Sequence, residues 1–141
     1  MQRRHINSGA PAELLVAQKA IQQGYVVSFP FSGKASYDLV IDNWTRLVKV
    51  QVKTIYKGKT DNGIRWMMDF SKPKGMTFKY EKYKEKDCDY IIGACPEYQA
   101  CYIFPIEFVK DKRQASFYFD EKPHNNARNY DWVDEFKEAW F

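Results

Sequence analysis

The feature that most constrains this chain is Leu47-Val48-Lys49-Val50-Gln51-Val52-Lys53-Thr54. Val48, Val50 and Val52 fall on one side of an extended backbone, and Lys49, Gln51 and Lys53 on the other. This period of two predicts a half-buried strand. Tyr37–Asp42 predicts a second strand, joined to the first by the turn Asn43-Trp44-Thr45-Arg46. Taken alone, the pair is an amphipathic hairpin with solvated lysines. The same hairpin can also set the Asp38 carboxylate beside the polar face that carries Gln51 and Lys53.

An acid on one strand followed by an acid or amide, any residue, and lysine on the next suits metal-dependent phosphodiester chemistry. The acid supplies hard oxygen to a divalent cation. The alternate-residue pair puts a second oxygen and an ammonium on one side of a strand. Upstream, Asn7 or Ser8 can cap a helix that has Pro11 in its first turn and stops at Gly24. Glu13 sits in that first turn, where a carboxylate favours the helix dipole whatever else it does.

With Glu13, Asp38 and Gln51-Val52-Lys53 in this order, the chain resembles the PD-(D/E)xK nuclease superfamily. It is most similar to the homing endonucleases of this type encoded in group I introns. It is also similar to archaeal Holliday junction resolvases. The resemblance implies one α/β domain over residues 1–141. Its core would be restriction-endonuclease-like, with a mixed central β-sheet flanked by helices and a long basic β-hairpin. It implies Asp38 as the principal Mg²⁺ ligand (Mn²⁺ can substitute), the Val52 carbonyl and Gln51 amide as further ligands, and Glu13 binding directly or through water. Lys53 would stand at the scissile phosphate. Gln51 departs from the usual acid, and a neutral amide is a weaker ligand. The implied activity is sequence-specific cleavage of double-stranded DNA by a homo-oligomer, a dimer or tetramer. The alternatives are a junction resolvase and a catalytically silent nucleic-acid-binding module.

Charge supports a nucleic-acid partner. The net charge is +4, but residues 43–86 hold 12 Lys/Arg against 4 Asp/Glu, and the remainder holds 10 against 14. A basic middle in an acidic chain predicts a local polyanion-binding face. Candidate phosphate contacts are Lys34, Lys49, Lys57, Lys59, Arg65, Lys72, Lys74 and Lys79. Lys57–Gly63 reads as a polar loop with an Asn-Gly turn, the tip of a hairpin running from Gln51 to Phe70.

Beyond it, Ser71–Met76 reads as irregular and Phe78–Lys86 as a short helix. Cys88–Ala94 and Ala100–Pro105 read as a hairpin turned at Pro96-Glu97-Tyr98, and Phe117–Phe119 as an edge strand. A closing helix is expected over Tyr130–Trp140. Its stripe of Trp132, Val133, Phe136 and Trp140, with Phe141, either packs on the core or forms a subunit interface.

Cys88, Cys95 and Cys101 make an odd set without a CxxC motif. Neither structural zinc nor a disulfide framework is expected, and a reducing compartment, cytoplasmic or organellar, is. No signal peptide, membrane span or organic cofactor is expected. Asp42 reads as a turn residue, and His5 and His124 as isolated surface side chains.

Overall fold

A computed structural model describes residues 9–60, 63–73, 80–119 and 131–141. Helix α1 spans Ala10–Gln22, with Pro11 in its first turn and Gly24 beyond its end at φ +86°. The expected caps Asn7 and Ser8 lie outside the described residues. Strands follow at Val26–Ser28 (β1), Leu39–Asp42 (β2) and Leu47–Thr54 (β3). β4 is Tyr56–Thr60, β5 Gly63–Asp69, β6 Ser71–Pro73, β7 Tyr80–Lys82, β8 Tyr90–Cys95 and β9 Ala100–Pro105. A short helix α2, Ile106–Val109, precedes β10, Gln114–Phe117, and a 3-10 helix occupies Asp131–Phe136.

The central sheet is mixed, in the order β1-β2-β3-β8-β9. Only the β3/β8 pair is parallel. The β2–β3 turn forms where expected, with the Asp42 carboxylate accepting the Trp44 N–H at 2.8 Å. That bond holds Trp44 at φ +71°, a conformation stabilised by such short side-chain to backbone bonds. The valines of β3 pack with Leu39, Ile41, Ile92 and Ile103 beneath Ala12, Leu15, Val16 and Ala20 of α1.

A three-stranded sheet, β10-β5-β4, covers part of the opposite face. The basic hairpin forms as β4 and β5, starting at Tyr56 rather than Gln51. The junction is Ile55. Its N–H still donates to Ala94 at 2.9 Å, while its side chain is buried with Trp66, Met68 and Phe70. Gly93 lies under this junction, and a Cβ there would strike the Met68 sulfur. Glycine lets the two sheets approach each other.

Three local expectations give way to tertiary structure. Ser71–Pro73 is a strand, and the expected helix over Phe78–Lys86 is replaced, among its described residues, by β7 paired to it. A turn follows in which the Asp87 carboxylate accepts the Lys84 N–H at 2.8 Å, offering the backbone an alternative to helix. The edge strand expected at Phe117–Phe119 instead spans Gln114–Phe117 and pairs with β5.

The closing α-helix is instead the 3-10 turn. After it, Glu138 takes φ +52° and donates its N–H to Cys101 at 2.9 Å. Val133, Trp132 and Phe136 join the aromatic core around Phe104 and Phe117. Trp140 and Phe141 pack on the aliphatic core instead. The aromatic stripe therefore packs on two cores of this chain, while Trp132, Phe136, Trp140 and Phe141 each stay partly exposed. No described helix is long and apolar enough to cross a membrane.

Candidate active site

The hairpin β2–β3 brings Asp38 to Gln51 and Lys53. The Asp38 N–H donates to the Val50 carbonyl at 2.8 Å, fixing the residue at the mouth of the hairpin. Its Oδ2 accepts the Val52 N–H at 2.9 Å and Gln51 Nε2 at 2.8 Å. Gln51 Nε2 also lies 3.4 Å from the Val52 carbonyl oxygen. The amide nitrogen thus occupies a point between two oxygens, as a cation would. A cation taking that point would have to displace the amide nitrogen, and the carboxamide would have to turn to offer Oε1 to it.

Glu13 approaches from α1. Burial first, and then the Asp38 charge, push its carboxyl above the usual range. Burial also raises Asp38, against the lowering effects of the Val52 N–H and of Lys53. Lys53 is drawn below the ordinary lysine value by burial, with Asp38 and Asp69 opposing. These are groups kept charged at a cost, a pattern concentrated at functional sites.

Lys53 Nζ donates to the Ser71 carbonyl at 3.0 Å and lies 5.1 Å from the centre of the Tyr83 ring. Lys72 flanks that ring at 5.3 Å and pairs with Asp87 at 3.3 Å. Sequence reasoning missed Tyr83, Ser71 and Asp69 as neighbours of the site. Tyr83 lies in a Lys- and Tyr-rich stretch with no period, and Ser71 acts through its backbone carbonyl, which no side-chain pattern reveals.

The candidate phosphate contacts divide. Lys49 shares the polar face of β3, donates to the Lys86 carbonyl at 3.0 Å and lies over the Tyr37 ring. Lys57 and Lys59 alternate on β4 and are exposed, Lys57 lying over Trp66. Arg65 stands opposite Gly58 on β5. Lys34 is exposed in the loop before β2. Lys72 is turned inward to Asp87 instead of outward. Lys74 and Lys79 lie outside the described residues, as do His5 and His124. All three cysteines are free and buried, and burial pushes the Cys88 and Cys101 thiols up to about 12. Neither is a nucleophile.

The donor set is hard oxygen throughout, from two carboxylates, a carboxamide and a backbone carbonyl, which fits Mg²⁺ or Mn²⁺. Among the described residues no three His, Cys, Asp or Glu side chains form a metal-binding group. A cation here would therefore depend on the amide, the carbonyl and water beside the carboxylates.

Asp38 at the entrance to β2, Gln51 and Lys53 on β3 and Glu13 on α1 are carried by a mixed sheet of the restriction-endonuclease-like class. The chain belongs to the PD-(D/E)XK endonuclease family, whose model matches residues 5–139. Protein 5.3 of Escherichia phage T7 is 40% identical over 63 residues, 45% of this chain and 52% of that protein. The chain thus matches about half the length of this relative. The structure of a bacterial homing endonuclease, I-Ssp6803I, superposes with a TM-score of 0.79 at 24% identity. That match covers 98% of this chain and 91% of the other, and it supports the restriction-endonuclease-like core.

Proposed function

We propose that this chain is a divalent-metal-dependent endonuclease of double-stranded DNA, sequence-specific and of the homing type. The observation that carries this reading is the convergence of the Asp38 carboxylate and the Val52 carbonyl on the Gln51 amide nitrogen, at 2.8 and 3.4 Å. Asp38, Gln51, Val52 and Glu13 would hold Mg²⁺, which when bound lowers the pKa of water and polarises a phosphate.

The remaining chemistry falls to the protein. Lys53 is partly desolvated and held by the Ser71 carbonyl and the Tyr83 ring, so its ammonium is already oriented. It would donate to a non-bridging phosphate oxygen and offset the charge that grows there as water attacks phosphorus and the ester oxygen leaves. Glu13 would help to orient water. The basic β4–β5 hairpin suits a groove of duplex DNA. Cutting both strands of a long site calls for two active sites, so a dimer or tetramer is part of the proposal. Trp132, Phe136, Trp140 and Phe141, which stay partly exposed, are the candidate interface residues.

One observation favours the silent-module reading. The Gln51 carboxamide already satisfies Asp38 as a hydrogen-bond donor, so the pair is stable without metal. Plasmid cleavage across Mg²⁺ and Mn²⁺ titrations separates the two, and a panel of linear and four-way DNA separates homing from junction resolution. Binding without cleavage in either metal would overturn the nuclease reading.

A further inference from the structure

An open cleft of about 510 Å³ lies beside the active site, lined among others by Ser71, Tyr80, Lys82, Lys112 and Arg113. Three separate segments build it. β6 and β7 place Lys82 directly opposite Ser71. The segment entering β10 runs alongside the end of β5, with the Phe70 N–H donating to the Arg113 carbonyl at 2.9 Å. Ser71 belongs to both sites, since its carbonyl holds Lys53. A strand whose phosphate met Lys53 would therefore pass over Ser71 into this cleft.

The wall chemistry suits such a strand. Lys112 lines the cleft, and its Nζ lies 4.6 Å from the Trp132 ring centre and 5.3 Å from that of Phe108, which steady the ammonium. Arg113 is exposed and forms no ion pair with any described residue. Lys82 is exposed and lies 3.4 Å from the Asp111 carbonyl oxygen. Among the described lining residues the one carboxylate, Asp69, is occupied by the Gln114 amide at 3.0 Å and the Tyr56 hydroxyl at 3.4 Å. Beside these cations Tyr80 is 74% exposed. Cations that follow a backbone together with an accessible ring on which a base can stack are the elements of a nucleic-acid strand site.

We infer that the Lys82–Lys112–Arg113 cleft is a strand subsite that takes phosphates flanking the cut, with Tyr80 as its stacking surface. This deepens the nuclease reading and rests on it for the position of the cut. None of these four residues contacts the groups proposed for chemistry.

The test uses the full chain with Lys112→Gln and Arg113→Gln together, and Tyr80→Ala separately. Folding is checked by circular dichroism, and a labelled duplex reports binding by anisotropy over a salt series. The double variant should lose about 2 from the slope of log affinity against log salt, with affinity down about tenfold. Tyr80→Ala should weaken binding about fivefold or more and leave the slope unchanged. In cleavage, KM should rise while the single-turnover rate at saturating DNA stays as in the unmodified protein. An unchanged salt slope in a folded double variant overturns the inference, and so does a loss confined to the saturated rate. If the unmodified protein binds DNA without cutting it, the nuclease reading fails while the salt series still decides the cleft.

Discussion

The two faces of β3 carry side chains one residue apart, yet they meet different surroundings. Val48 and Val50 are fully buried and Val52 nearly so, sealed under α1 among aliphatic side chains. Lys49, Gln51 and Lys53 remain half-buried, because the second sheet crosses at Ile55 and covers only part of their face. On the valine face any well-packed aliphatic surface would serve. On the other face each polar atom has a particular partner, and burial raises the cost of keeping Lys53 and the neighbouring Asp38 charged. One side of the strand specifies a fold, and the other holds groups that the fold alone would not favour.

The sharpest way to test that division is to remove a polar-face group. Asp38→Ala and Lys53→Ala should each lower Mg²⁺-dependent cleavage by about 100-fold or more, with circular dichroism and DNA binding nearly unchanged. Full plasmid cutting by either variant would break the assignment. The converse change is Val50→Ala. It should cost about 2 kcal/mol in denaturant unfolding and leave the cleavage rate of the folded protein close to normal. A variant that kept its stability but lost activity would show that the faces are not separate.

Gly93→Ala probes the seam between the faces, since Gly93 pairs with Lys53 in register and lies under Met68. Overpacking there should cost about 1–3 kcal/mol and also disturb Lys53. Stability and rate should therefore fall together, and a fall in only one would separate the seam from the site.

Smaller effects follow from charge. The folded-state pKa values of Asp38 and Glu13 are raised, so the folded protein binds their protons more tightly than the unfolded chain does. The stability this provides is fully present below the ordinary values of 3.8 and 4.5 and is lost as pH rises through the folded values. Asp38→Asn never ionises. It should melt at a slightly higher temperature than the unmodified protein at neutral pH, and the advantage should shrink as pH falls towards 4. Mg²⁺ should raise the melting temperature of the unmodified protein and not that of Asp38→Asn. The reverse order in either scan would contradict the electrostatic account.

The smallest expected change is Gln51→Glu, which should alter the Mg²⁺ and Mn²⁺ concentrations needed for cleavage rather than abolish it. Identical titrations would mean that residue 51 never meets the metal.

The same contrast explains what could be read from the sequence. The valine face announces itself by its period, which is why β3 falls on Leu47–Thr54 as expected, and α1 is bounded by Pro11 and Gly24. Asp38, Gln51 and Lys53 could be placed because the hairpin fixes their spacing. The aromatic core could not be placed. Phe70, Phe104, Phe117 and Trp132 come from four separate segments, and no local period links them. Trp132, Phe136 and Trp140 have helical spacing, but the pull of two different cores on either side of Glu138 overrides it. Tyr83 escapes for the same reason, since its role depends on Lys53 and Lys72 arriving from elsewhere.

The fastening of α1 has a consequence for how the molecule comes into being. Lys19 pairs with Glu138 at 2.7 Å, and the Tyr25 hydroxyl donates to the Phe141 carbonyl at 2.5 Å, across sequence separations of 119 and 116 residues. Contacts of such high order form late, because the loop they close costs entropy before they return anything. A chain emerging during synthesis can pair β2 with β3, and so bring Asp38 beside Lys53, long before residues 138–141 exist. The clasp that steadies the helix bearing Glu13 closes only once those residues have been made. Ordered this way, a partly made chain holds its strand residues in place while Glu13 is still unfastened, and the helix side of the site is secured after the strand side.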